Sequence, residues 1–255
     1  MSNLYGNDLA WVYDEIYQGF IDYKAEYEFY SSICHTYNSN KILEIACGSG
    51  NLAESFAANF LSYTGLDYSE AMLNIARTKF KNGNFIQGDM RNLNFTPKFD
   101  TILITGRSTS YLTHDNDLEN TFRSVYKALV LNGLFIFDCI DADHFMPYIS
   151  TNKNITHYSS INEKTYERDS VWKRKESTKH QLVSWKSKYY STENSKKVLI
   201  GKDSSVFRTF THLEITTNLL QNNFELLNTI ERKTYAFNTN VYVCRKLNET
   251  STQDA

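Results

Sequence analysis

The chain has 255 residues, with 27 Lys and Arg against 29 Asp and Glu, 41% hydrophobic residues, 10 Gly and 2 Pro. This composition belongs to an ordinary globular chain and excludes collagen-like, disordered and repeat architectures, while a net charge of −2 gives no general affinity for nucleic acid. No apolar run reaches the ~20 residues that cross a bilayer, the first residues show no basic-then-apolar leader, and Cys34, Cys47, Cys139 and Cys244 form no CxxC pair; the expectation is a cytoplasmic protein in a reducing compartment.

In chain order, apolar and aromatic residues at three- and four-residue spacing from Leu9 through Tyr30 predict one helix over 9–37. A strand, Lys41 to Ala46, runs into Cys47-Gly-Ser-Gly50, and Asn51 to Phe60 has a helical pattern. A strand at Tyr63 to Asp67 is followed by a helix that Ser69 can cap. Strands at 84–87, 99–105 and 133–139, with a helix at about 118–129, continue the alternation, which argues for a parallel, doubly wound sheet. After Pro147 the pattern changes to period-two, aromatic and Thr-rich stretches at 165–173, 181–190 and 197–201, read as antiparallel strands with one wet face. A strand at 206–210, a helix at 213–222 and strands near 224–232 and 241–244 close the chain. The expected fold is α/β: a Rossmann-like doubly wound sheet of about seven strands with a helical N-terminal cap and an antiparallel β insertion. The expected units are a cap at 1–40, a core at 41–147, an insertion at 148–205 forming a substrate lid, a return to the core sheet at 206–248 and a tail at 249–255.

The run from Gly48 through Ser49, Gly50, Asn51 and Leu52 to Ala53 matches GxGxxA between a predicted strand and a predicted helix, the context that motif requires. Glycines permit a tight turn and close ligand approach, and a helix N-terminus offers free N–H groups. Asp67 ends the next strand, where a carboxylate can take both hydroxyls of a ribose. An adenosine cofactor follows, and dinucleotides share the same turn. Glu44 before the turn and Gly88-Asp89-Met90 after the third strand favour S-adenosylmethionine, and here the chain resembles the class I S-adenosylmethionine-dependent methyltransferases over about 100 residues: Ile42 to Asn51, Gly65 to Leu73, Phe85 to Leu93 and Phe99 to Leu112. The resemblance implies cofactor contacts from Tyr13, Tyr23, Glu44, Ala46, Gly48, Gly50, Asn51, Asp67, Tyr68, Met72, Asp89, Met90 and Thr105, with Asp67 on the ribose and Asp89 and Met90 framing the adenine.

Tyr5, Tyr13-Asp14, Asp22-Tyr23 with Glu26, Gly88-Asp-Met-Arg91 and Phe207-Arg-Thr-Phe-Thr211 are similar to the amino-sugar N,N-dimethyltransferases that act on nucleotide-linked sugars. That likeness implies an N-terminal segment capping the cofactor and tyrosines that meet its amino-acid part or the substrate amine. A residue that is His in some of these enzymes corresponds here to Tyr111, with His114 three residues on, so Tyr5, Tyr111 and His114 are the candidate catalytic groups. No Asn/Asp-Pro-Pro-Tyr/Phe loop follows the fourth strand, which disfavours nucleic-acid bases and points to a small-molecule substrate, with no nucleic acid and no membrane partner; a homodimer is left open.

Residues 151–210 hold 13 basic against 6 acidic side chains. Such a module above the sheet can attract an anionic substrate, a sugar nucleotide or a phosphate ester of the phosphoethanolamine kind, with Arg107, Arg168, Lys173, Arg174 and Arg208 as candidate contacts; a solvated lysine-rich face is the plain alternative. Asp138, Asp141, Asp143 and His144 stand where metal-dependent O-methyltransferases carry magnesium ligands, but the second Asp-Asn pair is missing and no metal is expected. The function expected is N-methylation of a small amine; the alternatives are a small-molecule O-methyltransferase, an NAD-dependent oxidoreductase and a non-catalytic S-adenosylmethionine-binding protein.

Overall fold

A computed structural model describes residues 4–6, 8–114, 116–161, 164–176, 180–193, 196–234 and 237–248. The expected tail, 249–255, lies outside the described residues. Seven strands form one sheet: β1 Lys41–Ile45, β2 Ser62–Asp67, β3 Phe85–Gln87, β4 Phe99–Ile104, β5 Leu129–Ile140, β10 Phe224–Lys233 and β11 Asn238–Lys246. Their order is β10-β11-β5-β4-β1-β2-β3, with β11 antiparallel to both neighbours and the others parallel.

The central strands are near-continuous buried runs, as a parallel sheet covered on both faces requires; Ile42, Leu43 and Ile45 are fully buried. One face packs on α5 (Asp117–Ala128), which turns Leu118, Phe122 and Val125 inward at helical spacing. The other packs on α2 (Tyr23–Thr36), α3 (Ala53–Asn59) and α4 (Glu70–Lys79) through Tyr30, Phe56 and Leu73. Strand order reverses between β1 and β4, so a crevice opens beyond the carboxyl ends of these strands, where open α/β sheets bind ligands.

The predicted 9–37 helix is two helices, α1 (Ala10–Tyr17) and α2. Asp22 takes the hydrogen bond of Ala25 N at 3.0 Å and starts a new helix; the aromatic spacing continues across this cap, which hid the break. A further helix, α6 (Ala142–Thr151), was not expected because Pro147 lies inside it. The insertion is an antiparallel meander of β6 (Asn154–Ile161), β7 (Lys164–Arg174), β8 (Leu182–Glu193) and β9 (Lys196–Arg208). The strands predicted at 197–201 and 206–210 are one strand, β9, so the insertion runs to Arg208 rather than 205. The chain re-enters the core through α7 (His212–Gln221), capped by Thr211.

The meander and the start of the chain share a core. Tyr166, Trp172, Trp185 and Phe207 pack with Leu4, Leu9, Val12, Ile16 and Tyr17, and Leu4 N donates to Asp203 Oδ1 at 3.0 Å. α1 therefore belongs with the insertion and α2 with the Rossmann-like sheet. None of the described helices is long and apolar enough to cross a membrane.

Candidate active site

The turn after β1 is built on left-handed backbone: φ is 57° at Ala46, 56° at Gly48 and 72° at Gly50. Gly48 N donates to Asp67 Oδ2 at 2.8 Å and Ser69 N to Oδ1 at 2.8 Å, so one carboxylate ties the turn to the end of β2. Each carboxylate oxygen can accept more than one hydrogen bond, and Asp67 retains capacity for a ribose diol. Burial raises its proton affinity, and the backbone donors oppose that. Glu44, on β1, is buried and accepts from Tyr63 Oη at 2.5 Å and Thr105 Oγ1 at 3.3 Å; desolvation pushes it up to about 7 against those two bonds.

A cavity of about 950 Å³ lies over this turn. Of the residues expected from sequence, it is lined by Tyr5, Tyr13, Tyr23, Glu44, Ala46, Gly48, Asn51, Asp67, Tyr68, Met72, Asp89, Met90, Thr105, Arg107 and Tyr111. Gly50 is not in its wall: a Cβ there would come 2.9 Å from Ala76 Cβ, so this glycine serves close packing of the turn on α4. Asp89 is gripped by Arg91, whose Nη2 donates at 2.6 Å and which holds the carboxyl below its ordinary range. Arg91 also reaches Asp117 at 3.3 Å.

The N-terminal tyrosines form an aromatic wall. Tyr13 stacks on Tyr17 at 4.1 Å, Tyr5 meets Tyr13 edge-on at 5.3 Å, and the Tyr5 and Tyr111 hydroxyls are hydrogen-bonded at 2.9 Å. Tyr111 ends the 3₁₀ turn Ser108–Tyr111 after β4. Burial, with the neighbouring tyrosines, raises the Tyr5 phenol well above 10, so Tyr5 holds its proton at neutral pH. Ser69 caps α4 and its hydroxyl also donates to the Tyr5 carbonyl, fastening the wall to the start of α4 beside Asp67.

The structure corrects several other expectations. His114 is exposed and outside the cavity, its backbone N–H bound to Asp117 Oδ2 at 3.0 Å. Lys173 and Arg174 are exposed at the end of β7, away from the cavity. Arg168 is buried among Tyr17, Phe20 and Trp185 and donates to Tyr17 Oη at 2.5 Å, and Arg208 is buried against Phe210 and paired with Glu214. Among the described residues of 151–210, only Ser204 and Ser205 reach the cavity wall, because charge counted along a sequence does not say which face of a strand carries it.

The cations and acids that do line it come from elsewhere. Arg232 and Lys233 end β10, and Arg232 forms a bidentate pair with Glu26 of α2 at 2.9 and 2.8 Å. Arg107 holds a left-handed backbone, φ 65°, its N–H donating to Asp138 Oδ1 at 2.6 Å and its guanidinium to Thr234 Oγ1 at 3.2 Å. Glu26 was visible as part of the N-terminal pattern; Arg232 and Lys233 had no local signal, since an antiparallel edge strand brings them in from 206 residues away.

Residues 42–133 match a family model described as a methyltransferase domain. The chain is 37% identical over 102 residues to the methyltransferase-type protein YqeM of Bacillus subtilis, 38% of this chain and 41% of that one. It is 31% identical over 138 residues to a dTDP-3-amino-3,4,6-trideoxy-alpha-D-glucopyranose N,N-dimethyltransferase of Streptomyces venezuelae, 53% of this chain and 58% of that one. The chain thus spans between two fifths and three fifths of the length of these two relatives. Its fold is like that of an S-adenosylmethionine-bound amino pentose methyltransferase from Micromonospora echinaspora, with a TM-score of 0.78 at 16% identity over 92% of this chain and 96% of that chain. Glycine turn, sheet order and family match coincide: residues 42–133 match a methyltransferase domain, and the fold around them is like that of S-adenosylmethionine-dependent methyltransferases.

Proposed function

We propose that the protein methylates the amine of a small anionic metabolite, a nucleotide-linked amino sugar in the first instance and a phosphoethanolamine-like ester as the other member of that class. The observation that carries this reading is the continuity of one cavity from the Gly48–Asp67 turn to a wall of phenols and cations, Tyr5, Tyr13, Tyr111, Arg107 and Lys233. The amino-sugar acceptor named for the Streptomyces relative supports the first choice.

S-adenosylmethionine, when bound, supplies a methyl group already activated on sulfur. Asp67 and the Gly48 turn are placed to hold its nucleoside, and Met72 and Met90 offer apolar walls for it. The protein's remaining task is to align a nitrogen lone pair at near-attack distance, an effect worth ~7–11 kcal/mol in favourable cases. Tyr5 and Tyr111 orient the amine through their hydroxyls, while Arg107 and Lys233 attract a phosphate.

Calorimetric titration with S-adenosylmethionine, S-adenosylhomocysteine and NAD tests the cofactor; binding of NAD alone refutes the reading. Methyl-labelled turnover with dTDP-3-amino-3,4,6-trideoxyglucose, phosphoethanolamine and ethanolamine tests the acceptor. Equal efficiency on phosphoethanolamine and ethanolamine removes the anionic requirement, and transfer to hydroxyls alone replaces the amine.

A further inference from the structure

Among the described residues, six carboxylates line the cavity, and their partners separate them. Asp22 caps α2, Glu26 is locked by Arg232, and Glu44 takes two hydroxyl donors. Asp67 takes two backbone N–H groups, and Asp89 is gripped by Arg91. Asp138 differs. It is 4% exposed at the carboxyl end of β5, its Oδ1 takes only the Arg107 N–H, and among the described residues no hydrogen bond reaches Oδ2. β5 lies beyond β4 and away from β2 and β3, so Asp138 stands across the sheet from the Asp67 end of the cavity. The Arg107 guanidinium donates to Thr234 Oγ1 and lies over the Phe237 ring.

We infer that Asp138 is the catalytic carboxylate that receives the acceptor amine as its ammonium and removes one proton before methyl transfer. This rests on the amine reading above. An alkylammonium has no lone pair, so a nucleophile must first be made. One N–H proton passes to Asp138 Oδ2; the freed lone pair forms the N–C bond as the C–S bond breaks, its electron pair staying on sulfur to give the thioether. The methylated nitrogen is again a cation, and the proton on Asp138 leaves to solvent with product.

The surroundings suit this task. Burial is the largest influence on Asp138 and pushes it up to about 6; Arg107 and Arg232 oppose that and Glu26 reinforces it, while burial first and the Asp138 charge second raise the Tyr30 hydroxyl and the Cys139 thiol. A base near 6 remains ionised at pH 7 while holding a proton better than an ordinary carboxylate.

The full chain, charged with S-adenosylmethionine and offered dTDP-3-amino-3,4,6-trideoxyglucose, supplies the test. Asp138→Asn should lower kcat about 10²- to 10⁴-fold, leave S-adenosylhomocysteine affinity within about twofold, and make kcat climb with pH because only pre-formed free amine reacts. Wild-type kcat should fall below pH 6. Wild-type binding gives a readout independent of any variant: in the S-adenosylhomocysteine complex the amine should bind more tightly than the same nucleotide sugar bearing a hydroxyl, and the difference should shrink below pH 6. Active wild type with an unimpaired D138N variant overturns the Asp138 assignment alone, as does equal binding of amine and hydroxyl. Weakened cofactor binding with unchanged kcat assigns Asp138 to the cofactor's ammonium and also overturns it. A wild type that methylates no amine overturns both the assignment and the function it rests on.

Discussion

Asp67 and Glu44 sit on adjacent strands and are both buried carboxyls, yet different forces set their behaviour. Asp67 spends part of its accepting capacity on Gly48 and Ser69, which shapes the turn and keeps a carboxylate at this end of the cavity, where the proposed function puts the nucleoside. Asp67→Ala removes both the turn's tether and that charge. A hydrogen bond to a charged group is worth ~1.5–3 kcal/mol, so S-adenosylhomocysteine affinity should fall about 10- to 100-fold by calorimetry. Glu44 is placed where its neutral form is favoured, its value rising from an ordinary 4.5 to about 7. The folded value lies above the unfolded one, so stability from this residue is full below pH 4.5 and declines as pH rises to 7, by on the order of 3 kcal/mol at ~1.4 kcal/mol per pH unit. Denaturant unfolding of the cofactor-free protein should show that decline in wild type and a shallower one in Glu44→Gln, where Asp138 and Asp67 still contribute in the same direction. Parallel curves for the two proteins would contradict the burial account. Both residues were legible in the sequence because strand, glycine turn and helix fix backbone positions. The basic residues were not, since Arg168 and Arg208 turn inward to rings and Glu214, a choice made by packing partners far along the chain.

At the level of elements, the sequence pattern placed every strand of the large sheet and misjudged continuity. A spacing of three and four residues persists from Tyr17 through Phe20, Tyr23, Tyr27 and Tyr30 although the helix breaks at Asp22, because two successive helices each need an apolar stripe and their stripes happen to be in phase. The opposite error concerns β9, where Lys202 through Ser205 separates two predicted strands, 197–201 and 206–210, but lies within one. Gly201 is there because a Cβ would come 2.5 Å from Leu9 Cδ2. Gly19, in the link between α1 and α2, has the same meaning in a sharper form: an added Cβ would fall 1.9 Å from Ser159 Oγ and 2.9 Å from its Cβ on β6. Gly19→Ala must therefore push the link away from the insertion. Overpacking of this kind costs ~1–3 kcal/mol, and a chain of this size loses ~2–4 °C in Tm per kcal/mol. A melting point lowered by less than about 2 °C, the smallest shift these values allow, would show that the link yields freely.

Across the whole molecule, the start of the chain and the meander, 150 residues apart, form one apolar body over the cavity, joined by Leu4 N to Asp203 and by Arg168 to Tyr17. The sequence pattern separates a cap from a lid because neither segment announces its partner; both are amphipathic, and only the fold shows that each buries the other's face. Tyr5 and Tyr13 reach the cavity from this body, whereas Tyr23 and Glu26 reach it from α2 on the sheet. A ligand held between Asp67 and the Tyr5–Tyr13 wall thus bridges two packing units and should slow the opening of both. Hydrogen exchange read by mass spectrometry should show S-adenosylhomocysteine slowing amides of α1 together with β8 and β9, although neither strand's backbone lies at the cofactor turn. Protection limited to α1 would mean that the first helix closes over the ligand by itself. Joint protection would mean that cofactor and substrate enter by displacement of α1 and the meander as one cover, the arrangement their common core of Trp172, Trp185, Val12 and Ile16 requires.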